Sequence, residues 1–154
     1  MKKLIAILLS LSCLFACSAC TASADKDDVQ GESSWAEDWG ITLTVKDVSS
    51  SGLTLTITQS GGIAEGRLET GAEYQLERTV DGKIWTAVTP MEEPVWDMMA
   101  RIIHSDDSVE FELDWSWLYG QLEAGQYRIC KTITLFGESG PGRSQFYSAE
   151  FTVK

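Results

Sequence analysis

Histidine is nearly absent from this 154-residue chain, basic residues are few, and cysteine is crowded at one end. A single histidine, His104, leaves no imidazole pair to hold a metal. Three of the four cysteines, Cys13, Cys17 and Cys20, lie in the first twenty residues, and Cys130 stands alone. Cys17 and Cys20 have C-x-x-C spacing, but no second Cys or His pair completes a zinc set. Twelve Lys and Arg face 23 Asp and Glu, for a formal charge of −11. Such a surface is repelled by nucleic acid and by anionic head groups, which excludes a nucleic-acid partner. No serine sits in a G-x-S-x-G elbow, and Gly61-Gly62 is too short to cradle phosphate. No amphipathic helix of three turns is legible. The one long apolar run, Leu4 to Ala16, falls short of the roughly 20 residues that cross a bilayer. Neither a cofactor nor a metal is expected.

What is present begins with that run. Lys2 and Lys3 precede it, and small residues and cysteines follow at once. This is the layout of a secretory signal peptide. Leu14-Phe15-Ala16-Cys17 resembles a bacterial lipobox, in which a small residue precedes a cysteine that receives lipid. Leu14 and Ala16 match the pattern, and Phe15 is bulkier than usual. At Cys20, Ala19 and Ser18 fit but Cys17 at −3 does not. At Cys13 the apolar run would be too short. Cys17 is therefore the favoured lipidation site, with Cys20 the alternative and an ordinary cleaved leader the competing reading. The resemblance implies two acyl chains, enough for stable anchoring where one chain is not. The expected location is the extracytoplasmic face of the cell membrane, held there through an N-terminal lipid.

Three segments follow: a signal peptide at 1–16, an acidic tether at 17–40 and one domain at 41–154. Loss of Lys2 and Lys3 with the leader takes the formal charge from −11 to −13. The tether is rich in Ser, Ala and Asp and shows no sustained period. Trp35 and Trp39 interrupt it. They are expected to pack on the domain rather than to stand exposed as a binding pair.

From residue 41 the period is two. Ile41, Leu43 and Val45 alternate with polar residues, as do Leu53, Leu55 and Ile57, and Ser49 to Gly52 turns the chain between the two runs. Glu73 to Val80 reads as a third strand with Tyr74, Leu76 and Val80 on one face. Asp81-Gly82 predicts a two-residue hairpin into Lys83 to Thr89. A short strand is expected over 101–104, and Val109 to Trp115 alternates cleanly. Trp115 to Gly120 reads as one helical turn. Tyr127 to Phe136 and Gln145 to Val153 are the last strands. Seven or eight strands with such spacing predict an all-β antiparallel sandwich.

Gly125-Gln126-Tyr127 opens a strand after a turn and resembles the tyrosine corner of immunoglobulin-like and fibronectin-like sandwiches. With LTLTITQSGG at 53–62, YQLERTVDGKIW at 74–85 and FYSAEFTVK at 146–154, the chain looks like the bacterial immunoglobulin-like domain of small secreted lipoproteins, found mainly in Gram-positive bacteria. The resemblance covers about residues 41–154. It implies a structural role for Tyr127 and carries over no catalytic residue. The antibody-type cysteine pair is absent, so stability must come from packing.

Candidate chemistry is thin. His104-Ser105-Asp106 are neighbours in sequence, which does not make a triad. Glu92-Glu93 and Asp106-Asp107 are adjacent carboxylates, whereas glycoside hydrolysis needs two across a cleft. Asp25, Asp27 and Asp28 lack the spacing of a calcium loop. Cys130 is expected as a small half-buried residue, not a redox centre. Of six tryptophans, Trp115 and Trp85 are expected in the core, and Trp117 and Trp96, with Tyr119, are the candidate binding residues. The expectation is a non-enzymatic, lipid-anchored binding or interaction module for a protein or glycan. The alternatives are a carbohydrate-binding module using those aromatics, and a cell-wall-directed hydrolase using Asp106 or Glu93.

Overall fold

A computed structural model describes residues 37–62, 64–138 and 142–154. Among the described residues nine strands run in chain order: β1 Ile41–Lys46, β2 Gly52–Gln59, β3 Arg67–Thr70, β4 Gln75–Thr79, β5 Trp85–Ala87, β6 Arg101–Ile103, β7 Asp107–Asp114, β8 Gly125–Phe136 and β9 Arg143–Val153. Every pairing is antiparallel. One sheet has the order β1-β2-β7. In the other, β8 is the central strand. It pairs along its length with β9 on one side, and with β4 and then β3 on the other. β5 extends β4, and β6 extends β3. The expected signal peptide, both candidate lipidation cysteines and Trp35 lie outside the described residues.

The period-two segments became the strands because alternate residues could be buried against the facing sheet. In the first sheet Leu43 stands across from Ile57, and Leu55 stands between Val45 and Phe111. Leu55 and Ile57 are fully buried. The second sheet contributes Ile129, Ile133 and Leu135 of β8 and Phe151 and Val153 of β9. Trp115 closes the core, stacked on Phe151 at 5.7 Å, and Phe151 in turn stacks on Tyr127 at 5.7 Å. The Trp115 indole N–H donates to the Ser50 carbonyl at 2.9 Å, which ties the β1–β2 turn to the end of β7.

Trp39 is as buried as Trp115, so the packed domain includes Glu37 to Gly40. A Cβ at Gly40, whose φ is +65°, would collide with the Ser60 and Gly61 carbonyl oxygens. Only glycine lets the chain pass there. The buried Gln59 side chain holds three segments: its amide N–H donates to the Trp39 and Gly61 carbonyls, and its oxygen accepts from the Asp106 amide at 2.8 Å.

Four local expectations need correction. Arg67–Thr70 is an additional strand; Leu68 is its only apolar side chain, so it shows no period. The β4–β5 connection spans residues 80–84 and is not a two-residue hairpin, because Thr79 pairs with Trp85. Val80 therefore lies in the loop and is 96% exposed, not on the inner face with Leu76. Trp85 is half-buried on the outer face, where the Arg128 guanidinium covers its ring at 4.7 Å while also pairing with Glu77.

Lys131 departs from the apolar run of β8 and is buried between the sheets. Its ammonium donates to the Gly71 and Glu73 carbonyls at 2.6 and 2.8 Å and lies 5.1 Å from the Phe111 ring centroid. Burial pulls its pKa down to about 8, with the Glu73 charge opposing the shift.

Candidate binding surface

At one end of the sandwich, chain segments from both sheets meet under a long connection. Residues 115–120 make a single turn of helix: the Tyr119 amide donates to the Trp115 carbonyl, and the Gly120 amide to the Ser116 carbonyl. The carboxylate of Asp114 accepts from the Ser116 amide at 2.8 Å and caps that turn; the Ser116 hydroxyl and amide together hold its pKa below the usual carboxylate range. The turn separates Trp115, which points into the core, from Trp117, which does not.

The β5–β6 connection, residues 88–100, crosses this turn. Pro90 and Pro94 keep it from joining either sheet. The Met91 amide donates to the Leu118 carbonyl at 2.8 Å. Trp96 then tucks its ring against Tyr74, with centroids 5.0 Å apart, and stands edge-on to Trp117 at 5.5 Å. Tyr74 packs in turn on Tyr119 at 6.4 Å. Trp96 and Trp117, singled out from sequence, thus meet directly, and Tyr119 joins them through Tyr74, which the sequence does not single out.

They are not equivalent. Trp117 keeps 44% of its surface exposed, Trp96 is half-buried, and Tyr119 is buried. Tyr119 presents no face to a ligand; its hydroxyl accepts from the Leu76 amide, and burial raises its pKa. The hydroxyl of Tyr74 is buried with no hydrogen-bond partner among the described residues, and burial raises its pKa strongly. The two indole planes meet at 76°. A pyranose stacks on a flat ring face, and these rings form no common platform.

The apolar surface at this end is carried by the connection rather than by the rings. Val95 is 85% exposed, Met98 98%, Met99 71% and Met91 63%. Asp97 accepts from the Met99 amide at 3.0 Å and turns the chain so that the two methionines project outward. Glu92, Glu93 and Asp97 are exposed among them. Exposed methionine is a weak signal in a sequence, because methionine is usually buried. That three of the four methionines lie in nine residues was the sign available.

A second groove of about 520 Å³ lies beside β5, lined by Val80, Ile84, Ala87 and Val88 with Arg78 and Asp81. Asp81 shapes it: its carboxylate accepts from the Lys83 and Ile84 amides and the Thr79 hydroxyl, which together lower its pKa.

The candidate catalytic groups are not assembled. His104 is exposed at the β6–β7 turn. Asp106 sits in the same turn at φ +54°, where its amide is held by Gln59. Glu92 and Glu93 lie on the β5–β6 connection. Among the described residues no three His, Cys, Asp or Glu side chains gather in a way that could hold a metal. Cys130 is half-buried, and burial pushes its thiol pKa up, away from the reactive thiolate.

At the opposite end of β8 from its Phe136 terminus, the Tyr127 hydroxyl donates to the Glu123 carbonyl at 2.9 Å. This is the geometry of a tyrosine corner. No curated protein and no solved structure matches the chain. A family model described as the bacterial Ig-like domain matches residues 37–152, from just before the buried Trp39 to the last strand, and the chain belongs to that family.

Proposed function

We propose that this protein is a lipid-anchored, extracytoplasmic interaction module without enzymatic activity, and that it meets its partner through the Trp96–Trp117 end of the sandwich. Membership of the Ig-like family supports the role of an interaction module. The leader and Cys17 support the anchor.

The observation that carries the contact surface is the exposed apolar group of Met91, Val95, Met98 and Met99 around a half-buried tryptophan. A monomer gains nothing by exposing such a group, whereas a partner that covers it gains about 25 cal/mol for each Å² of apolar area removed from water. Trp96 and Trp117 supply rigid area, and the methionines supply adaptable area. The outer face of the β1-β2-β7 sheet, in contrast, is polar, with Thr56, Thr58, Glu110 and Glu112 outward and Lys46 paired to Glu110 at 2.7 Å.

Site-specific photo-crosslinking in intact cells tests this. A photoreactive residue at position 98 is expected to give one discrete adduct, and the same residue at position 112, on the polar sheet, none. Equal labelling from both positions, or none from position 98, refutes the assignment.

A further inference from the structure

We propose that the Met91–Met99 segment docks a cationic apolar peptide segment of another protein, one that carries lysine or arginine among leucine-like side chains. This rests on the reading of the same end as the contact surface and names its partner by chemistry.

Three observations lead there. The first is composition in place. Between Thr89 and Ala100 there are three carboxylates, Glu92, Glu93 and Asp97, and no Lys or Arg. All three are exposed and interleaved with Met91, Val95, Met98 and Met99. The nearest following cation, Arg101, is turned away to the Phe111 ring at 5.5 Å. A ligand that only buried the methionines would strip water from carboxylates that have no cation partner among the described residues, which is costly. A ligand bearing cations beside apolar groups satisfies both at once.

The second is the thioethers themselves. Met91, Met98 and Met99 are all of the chain's methionines apart from Met1. Unbranched, polarisable side chains refit to differing apolar partners, and methionine surfaces flanked by acid suit basic amphipathic segments. The third is the backbone. The amides of Val95, Trp96, Asp97 and Met98 make no hydrogen bond to any other described residue. The segment then runs into β6, which among the described residues pairs only with β3. Its main chain is open to a second, extended chain as well as its side chains.

A membrane surface is the competing occupant. The same carboxylates and the charge of −11 oppose docking on anionic head groups.

The test uses the full mature chain with Cys17→Ala and Cys20→Ala, so that it stays soluble. The probes are a fluorescent amphipathic Leu/Lys peptide, a Leu/Glu peptide of the same pattern, and vesicles of phosphatidylglycerol. Saturable binding is expected for the Leu/Lys peptide alone. Affinity should fall about tenfold on Glu92→Gln/Glu93→Gln/Asp97→Asn and about tenfold between low and physiological salt. It should fall about tenfold on Met98→Gln/Met99→Gln, with the unfolding midpoint unchanged because both side chains are exposed. Failure of the Leu/Lys peptide to bind, equal affinity in the charge variant, or binding to the vesicles overturns the proposal. If that happens while the position-98 crosslink persists in cells, the surface stands and the partner's chemistry is wrong. If the crosslink is also absent, the surface itself is wrong.

Discussion

Trp96 stands edge-on to Trp117, their ring centroids 5.5 Å apart and their planes at 76°. Edge-to-face contact of this kind adds about 0.5–1.5 kcal/mol beyond buried area. The two rings share that contact, but Trp96 alone also packs on Tyr74. Their truncations should therefore differ. Trp96→Ala is expected to cost about 2–3 kcal/mol and Trp117→Ala about 1 kcal/mol. Urea unfolding of the two variants measures the difference. Equal losses would mean that Trp117 is packed as deeply as Trp96.

Tyr127→Phe isolates the tyrosine corner. The ring keeps its stack on Phe151, and only the hydroxyl bond to the Glu123 carbonyl is lost. A loss of about 1–2 kcal/mol is expected, with the urea dependence of the unfolding free energy unchanged. A variant as stable as the parent would show that the bond is replaced by water at no cost.

The strands with clean alternation were legible because burial on one face writes itself into the sequence: β1, β2, β7 and the two long strands β8 and β9 follow from Ile41, Leu55, Phe111, Ile133 and Phe151. β3 was not, since a four-residue strand with only Leu68 inward has no period to read. Val80 is not legible as a loop residue because Asp81-Gly82 signals a turn but does not set its length; the carboxylate of Asp81 accepts two amides within a connection of five residues. At the candidate site, Trp96, Trp117 and Tyr119 are legible as aromatics. That Tyr74 bridges them, and that the Met91–Met99 segment carries the exposed surface, depends on long-range packing that local pattern does not encode.

Lys131 makes stability depend on alkaline pH. In the fold its ammonium gives up its proton near pH 8, and in the unfolded chain only near 10.5. Between those values the unfolded chain holds the extra proton, so stability rises with pH, by up to about 1.4 kcal/mol per pH unit. Above about pH 9 the half-buried Cys130 thiol, and above about pH 10 the buried Tyr74 and Tyr119, all of which the fold keeps protonated, pull the other way. Denaturation series from pH 7 to 9.5 should show the rise in the parent and no rise in Lys131→Met. Parallel profiles would contradict the assignment.

The proposed lipid anchor is tested by fractionation. Cys17→Ala should move the protein from membranes to the soluble fraction, whereas Cys20→Ala should leave it in place. Globomycin should make the precursor accumulate. The reverse pattern between the two cysteines would move the lipid to Cys20, and no change in the double variant would contradict lipid anchoring altogether.

The proposed contact surface has a direct readout in the native protein. Met98 and Phe146 are both almost fully exposed, one on the proposed contact segment and the other on β9. Hydroxyl-radical footprinting, read by mass spectrometry, compares each side chain in intact cells with the same side chain in the purified soluble chain. Protection of Met98, with Phe146 labelled equally in both settings, is the predicted result. Equal labelling of Met98 in both settings, or protection of Phe146 alone, would contradict the account.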